Sequence, residues 1–171
     1  MAVTKKTSTK PAAKKTTVTK PAVKKTTAKP ATKPVAKAPS TSGDLSVNGN
    51  KKIGTLQKEF NKKFPYLQLC IFYSYARDQV KKGEGITQIP EDKTLASVRR
   101  ADSGGSVSIS GNKKVKTIEK EMDETFGLYC QVCYTNKLGK GYYTSGSSDE
   151  MTLSALNAKC EKDGCKKGIY R

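Results

Sequence analysis

The chain has no histidine, so imidazole is missing as a general base, a proton relay and a metal ligand. No apolar run approaches membrane-spanning length, which excludes a spanning helix. No apolar stretch follows the first lysines, so a classical secretion signal is not expected, and a segment without Arg and broken by Pro is a poor transit peptide. There is no nucleophile elbow, no Gly-rich dinucleotide loop and no phosphoryl-transfer set. These absences point away from an enzyme and imply no cofactor. Acid is scarce in one place above all: residues 1–44 carry a single carboxylate, Asp44, with no Arg and almost nothing apolar larger than Val.

What that segment does carry is eleven lysines: Lys5, Lys6, Lys10, Lys14, Lys15, Lys20, Lys24, Lys25, Lys29, Lys33 and Lys37. Lys10-Pro11-Ala12-Ala13-Lys14-Lys15-Thr16-Thr17 returns ten residues later as Lys20-Pro21-Ala22-Val23-Lys24-Lys25-Thr26-Thr27, and a third, decayed copy begins at Lys29-Pro30-Ala31. Such a segment cannot bury enough apolar surface to offset its ordering entropy, so residues 1–44 are expected to form a disordered tail. Its lysines can neutralise a polyanion through counterion release. These Lys-Pro-Ala and Lys-Lys-Thr pieces resemble the Lys/Ala/Pro-rich extensions of linker-histone-like and nucleoid proteins, over residues 1–40 only. The resemblance implies sequence-independent binding of DNA or RNA.

Of the formal net charge of +18, the tail supplies +10 and residues 45–171 the remaining +8. The latter stretch is about one small domain long. It repeats itself at an offset of 62 residues, Leu45-Ser46-Val47-Asn48-Gly49-Asn50-Lys51-Lys52-Ile53 aligning with Val107-Ser108-Ile109-Ser110-Gly111-Asn112-Lys113-Lys114-Val115. Ile53, Leu56, Phe60 and Phe64 step as one helix face, and Val115, Ile118, Met122 and Phe126 step identically. Asn50 and Asn112 are expected to cap these helices, and Pro65 and Gly127 to end them. Alternating strands follow, Leu67, Leu69, Ile71 and Tyr73 in the first copy and Leu128, Cys130, Val132 and Tyr134 in the second, where the register slips by one. The second strand turns through a loop at 136–141 into Tyr142-Tyr143-Thr144. The first passes through a longer loop at 77–85 into Ile86-Thr87-Gln88-Ile89. Short helices close each copy, Thr94–Val98 and Thr152–Leu156, each introduced by an acid pair (Glu91-Asp92, Asp149-Glu150) suited to a helix dipole.

The expected fold class is therefore α+β: a disordered tail (1–44), then two tandem strand–helix–strand–strand–short helix units (45–102 and 107–171) joined by a Gly/Ser linker (103–106). One unit alone cannot cover its sheet, so a single pseudo-symmetric domain is expected, in which the two units can share one sheet with the main helices on one face; two independent mini-domains are the less favoured alternative. The copies are somewhat similar to small duplicated bacterial proteins of unknown role, which implies no function.

Further candidate phosphate contacts lie in this domain. The turns carrying Lys51, Lys52, Lys113 and Lys114 sit at helix starts, where free N–H groups and the dipole favour an anion, although capped turns with solvated lysines are the commoner arrangement. They lack the Gly-x4-Gly-Lys-Ser/Thr spacing of a P-loop, so nucleotide hydrolysis is not expected. Residues 51–64 hold five Lys and one Glu, residues 113–126 four Lys and four acids. Lys58, Lys62 and Lys63, with Arg99 and Arg100, thus make the first unit the more basic. Tyr73, Tyr75, Tyr134, Tyr142 and Tyr143 either stack on bases or fill a core face, the latter being the simpler reading without an RNP-type motif.

Five cysteines complete the inventory. Cys130-x2-Cys133 with Cys160-x4-Cys165 invites a zinc site, but a strand turns positions three apart to opposite faces, no Gly makes a knuckle, and Leu69 and Phe72 occupy the matching places in the first copy. No metal is expected. Cys160 and Cys165 flank a turn and are placed to join under oxidation, reduced thiols being the default.

The function these readings favour is a non-enzymatic accessory protein that binds nucleic acid, DNA ahead of RNA, without sequence preference. Its domain would serve a protein partner or homo-oligomerisation, and its location would be the cytoplasm or a nucleoid. The alternative is a structural or protein–protein interaction module, for example of a virion or nucleoid assembly, with the tail as tether. A membrane partner ranks last, because the tail lacks aromatic or aliphatic anchors.

Overall fold

The computed structural model describes residues 43–101 and 104–168. The tail lysines up to Lys37, Ser103 of the expected linker and residues 169–171 lie outside the described residues. The chain order is β1 (Leu45–Asn48), α1 (Ile53–Lys63), β2 (Gln68–Tyr73), α2 (Arg77–Lys81), α3 (Leu95–Val98), β3 (Ser106–Ile109), α4 (Val115–Phe126), β4 (Leu128–Thr135), β5 (Gly141–Tyr143) and α5 (Leu153–Lys162), with 3-10 turns at Ser74–Ala76 and Gly146–Ser148. The class is α+β, but the strands form two small antiparallel sheets instead of one shared sheet. β1 pairs with β3, and β2–β4–β5 form the other. Each long helix removes the chain from the small sheet before it re-enters the larger one, so α1 contacts both β1 and β2, and α4 both β3 and β4.

The apolar spacing of the helices is realised as burial. Ile53, Leu56 and Phe60 of α1 and Val115, Ile118, Met122 and Phe126 of α4 are fully buried. They pack on Val47, Val107 and Ile109 of the small sheet and on Leu69, Ile71, Leu128, Cys130 and Val132 of the larger one. Burying a side chain of this size contributes about 1.5–3 kcal/mol, so this face accounts for most of the apolar stabilisation. The other face of β2 and β4 is buried too. Cys70, Phe72, Tyr129 and Cys133 form a second, smaller core beneath Ala76 and Val80. The expected loop at 77–85 supplies that cover, because it winds into α2.

Several local expectations are corrected. Asn50 and Asn112 do not cap the long helices: Lys52 and Lys114 hold the N-cap positions, without a side-chain cap bond. The first N–H groups of each helix are met by an extended segment from later in the chain. Ile53 and Gly54 donate to the carbonyls of Lys93 and Glu91 (2.9 and 3.0 Å); Val115 and Lys116 donate to those of Met151 and Asp149 (3.0 and 3.1 Å). The acid pairs thus approach the long helices, and the first turns of α3 and α5 hold no acid. Those two helices are capped by threonine: Thr94 Oγ1 accepts from Ser97 N and Thr152 Oγ1 from Ala155 N, both at 3.2 Å. Residues 86–89 do not form a strand, although Ile89 N donates to the Ile71 carbonyl at 3.0 Å. Ser106, read as linker, lies in β3 opposite Asn48.

Other readings hold. Gly127 ends α4 in the left-handed region at φ 63°, and a Cβ there would stand 2.8 Å from Ala101 N. The 136–141 turn joins β4 to β5, with Asn136 Oδ1 accepting from Leu138 N and Lys140 N at 3.0 and 2.9 Å.

Candidate functional site

The candidate lysines of the domain separate into engaged and open groups. Lys51 Nζ sits 2.5 Å from Glu59 and is only 17% exposed, and Lys113 Nζ sits 2.6 Å from Glu121. Each reaches forward along its own helix, so these side chains brace the helix starts. Lys63 Nζ donates to the carbonyls of Gly43 and Ile109 and lies 5.8 Å over the Phe64 ring. Lys114 shares Glu150 with Lys116, at 3.0 and 2.5 Å. This pairing holds the Glu150 carboxylate below its usual range, first through the Lys116 hydrogen bond. Lys52, Lys58 and Lys62 are exposed and have no ion pair among the described residues. The charge imbalance between the two helices therefore survives folding: α1 leaves cations open, whereas α4 neutralises most of its own.

Arg99 and Arg100 follow α3 and are exposed. Arg100 does more than add charge. Its guanidinium lies 5.9 Å from the Tyr73 ring and 5.2 Å from the Tyr75 ring, and the two rings stack at 5.4 Å with a 9° tilt. Tyr75 is 65% exposed, so this stack ends at the surface. Position on a short 3-10 turn after β2 lets Tyr75 fold back on Tyr73. A second stack pairs Tyr134 with Tyr142 at 5.9 Å, with Lys140 Nζ 5.4 Å over Tyr142. Tyr143 packs edge-on against Phe72 at 6.2 Å. The tyrosines thus divide between the two readings: Tyr75 and Tyr142 are exposed, while Tyr73, Tyr134 and Tyr143 are partly buried.

Two clefts flank the long helices. One, of about 580 Å³, is bounded by α1, β2 and residues 86–91, with Gln57, Asn61, Gln68 and Gln88 in its walls. The other, of about 380 Å³, is bounded by α2, α4, β4 and residues 144–149, with Arg77, Glu119, Asp123, Tyr129 and Asp149 in its walls. Gln57 and Glu119 stand at the same offset in their helices, as do Asn61 and Asp123. The first cleft is therefore amide-lined where the second is ionic.

In the ionic cleft Glu119 accepts the backbone N–H of Val132 at 3.0 Å, with Thr144 Oγ1 3.4 Å away. Burial pushes its carboxyl up to about 7, the Val132 hydrogen bond opposes this, and Asp149 adds to it. Asp149 Oδ1 is sealed from solvent without a hydrogen-bond partner among the described residues. Arg77 pairs with Asp123 at 2.6 Å, which raises its basicity, and stacks 5.3 Å over Tyr129. Burial, then Glu119, pushes the Tyr129 hydroxyl up to about 12. A protonated Glu119 needs an acceptor or nucleophile beside it to do chemistry. Cys130 lines the same cleft, but burial raises its thiol well above the usual range.

The cysteines regroup. Cys130 and Cys133 face opposite sides of β4, as strand alternation requires, and belong to different cores. Cys133 instead meets Cys70 of β2, sulfur to sulfur 2.7 Å. Cys165 N donates to the Cys160 carbonyl at 2.9 Å, and burial followed by Cys165 pushes the Cys160 thiol up to about 12.

Sequence reasoning missed the Gln57–Gln88 amide pair, the burial of Glu119 and the Arg100 stack. A usable signal existed for Glu119, because an acid replaces Gln57 at an inward-leaning position of an otherwise matching helix. No protein-family model, curated protein or solved structure matches this chain.

Proposed function

We propose that this chain is a non-enzymatic accessory protein that binds nucleic acid without sequence preference, its Lys-rich segment contacting phosphates and its domain adding a smaller basic face. The observation that carries the reading is charge segregation: eleven lysines against one acid in residues 1–44, in a domain-bearing chain of net charge +18. Phosphate contacts read charge density and not base edges, so such a segment associates fast and indifferently to sequence. Within the domain the open cations Lys52, Lys58 and Lys62, and the exposed Arg99 and Arg100, lie in the first half. The second half, with its mutually neutralised α4, is free to serve a protein partner or a second copy.

The same reading includes a tandem origin for the domain. Matching hydrogen bonds support it: Leu95 N to Lys51 O and Ala96 N to Gly49 O in the first half, Leu153 N to Lys113 O and Ser154 N to Gly111 O in the second. Strand registers support it as well, since Leu45 pairs with Ile109 and Val47 with Val107.

The test is a salt-titrated duplex-DNA binding assay on the full chain beside residues 43–171. With about six lysines engaged, the log–log salt slope of the full chain is expected near −4 to −5. Loss of most affinity with the segment supports the reading. Equal binding by both proteins sinks the segment-centred mechanism, and binding by neither near physiological salt sinks the nucleic-acid reading.

A further inference from the structure

The amide-lined cleft has the chemistry of a nucleotide site. Its volume of about 580 Å³ falls within the roughly 300–1,000 Å³ of ligand pockets. One wall is apolar, built from Leu69, Ile86, Ile89 and Pro90. Another is amide. Gln57 Nε2 donates to the Leu69 carbonyl (2.9 Å) and to Gln88 Oε1 (3.0 Å), and Asn61 Nδ2 donates to the Leu67 carbonyl (3.0 Å). These bonds fix the side chains and leave their other ends, Gln57 Oε1, Asn61 Oδ1 and Gln88 Nε2, without partners among the described residues. Gln68 also lines the cleft. It is 7% exposed, its Nε2 donates to the Gly168 carbonyl, and its Oε1 is sealed from solvent with no partner among the described residues. Lys58 and Lys62, both exposed, complete the lining, with Glu91 as its acid.

We propose that this cleft binds one nucleotide unit, the base lying on the apolar wall with its polar edge on the amides and the phosphate at Lys58 and Lys62. Glutamine and asparagine ends offer both donors and acceptors to a base edge. The open ends are two acceptors, Gln57 Oε1 and Asn61 Oδ1, and one donor, Gln88 Nε2, a set that a base edge carrying both donors and acceptors can meet. The matching cleft beside α4 carries Glu119 and Asp123 where Gln57 and Asn61 stand, so it lacks the amide ends that would meet a base edge. The nucleotide is either free or an unstacked unit of a single strand. The site goes beyond the phosphate-only contacts of the Lys-rich segment, so either reading can fail while the other stands.

The experiment is a ¹⁵N NMR titration of the full chain with adenosine and uridine 5′-monophosphates at constant ionic strength, with inorganic phosphate as the matched control. Saturable shifts of the Gln57, Gln68 and Gln88 side-chain amides and of residues 86–91, absent with phosphate, support the site. Lys62→Glu, on an exposed helix position, is expected to weaken binding about tenfold through one lost charge-assisted contact. Gln57→Glu, which imports the other cleft's acid, is expected to abolish it. A four-nucleotide single strand that binds the same signals at least tenfold tighter identifies the strand as the source; equal binding identifies the free nucleotide. No shift up to ~10 mM, well beyond useful pocket affinities, overturns the proposal. So do equal shifts with phosphate alone, or shifts confined to lysines outside the cleft. Duplex DNA, with no unstacked base, reports the Lys-rich segment separately.

Discussion

Glu119 accepts the backbone N–H of Val132 at 3.0 Å, and this contact holds an ionisable group against the larger sheet. The groups facing it are Asp149, Tyr129, Thr144 and, across the cleft, Arg77, Lys116, Lys120 and Asp123. Its carboxyl titrates near 7 in the fold against a usual 4.5, chiefly because burial disfavours the charge. The folded state thus binds the proton more tightly than the unfolded chain. The contribution of this group is most favourable below about pH 4.5 and is lost as pH rises through 7. Glu119→Gln keeps an oxygen for Val132 and Thr144 and removes the charge. It is expected to be near neutral at pH 5 and to stabilise the protein by roughly 1–3 kcal/mol at pH 8. Urea unfolding of both proteins at the two pH values checks this, and a pH-independent difference would contradict it.

Cys70 and Cys133 lie on one face of paired strands, diagonal in register, since Gln68 faces Cys133 and Cys70 faces Gln131. Their sulfurs are 2.7 Å apart inside the small core. Both thiols are buried, and burial raises that of Cys133 well above its usual range, so an alkylating reagent is expected to reach neither in the native reduced protein. With diamide as oxidant, which takes up two hydrogens as the two thiols become one disulfide, Cys70 and Cys133 are expected to join. Peptide mapping by mass spectrometry should show a loss of two hydrogens and a crosslinked Cys70–Cys133 peptide pair. A crosslink from Cys130 to either one would contradict the strand geometry.

Thr94 and Thr152 cap α3 and α5 with the same 3.2 Å hydrogen bond. Replacing either by Ala is expected to cost about 1 kcal/mol, the usual value of a side-chain N-cap. At the start of α1 and α4 the opposite holds. Asn50→Ala and Asn112→Ala are expected to leave those helices unchanged within ~0.5 kcal/mol, because neither residue is a cap. Chemical denaturation of the four single variants separates the two cases. A loss at Asn112 as large as that at Thr152 would mean the cap has been misplaced by two residues.

That misplacement shows where sequence reading stops. Period 3.6 at Ile53–Phe64 and Val115–Phe126 and period 2 at Leu67–Tyr73 and Leu128–Tyr134 were legible because each is set by which face a core removes from water. Gly127 was legible because a left-handed residue favours glycine. The starts of α1 and α4 were not, because their N–H groups are met by carbonyls 33 to 40 residues downstream, at Glu91, Lys93, Asp149 and Met151, and no local pattern encodes that. The separate sheets were illegible for the same reason: strand pairing is a choice among partners that alternation does not rank. In the sites, charge was legible and its neutralisation was not. Lys51 and Lys113 read as open lysines until Glu59 and Glu121, eight residues on, are seen to reach them.

The exposed end of the Arg100–Tyr73–Tyr75 stack leads to a last prediction. Stacked tyrosines present a flat face that any base can extend, and the guanidinium beside them attracts a phosphate while holding the rings parallel. Tyr75 is 65% exposed, so its removal empties no core. Tyr75→Ala is therefore expected to leave stability within ~0.5 kcal/mol. Its cost to single-stranded oligonucleotide affinity is expected to be roughly 1–3 kcal/mol, the usual worth of one stacked base. Duplex binding, in which no base is free to stack, should be unchanged. Arg100→Lys keeps the charge but loses the planar contact, so it should weaken single-strand binding more than duplex binding. Fluorescence anisotropy with a labelled single strand and the matching duplex reads both quantities. If Tyr75→Ala lowers neither affinity, the stack serves only to dock the 3-10 turn, and single-strand recognition has to be sought at Tyr142 or in the amide-lined cleft.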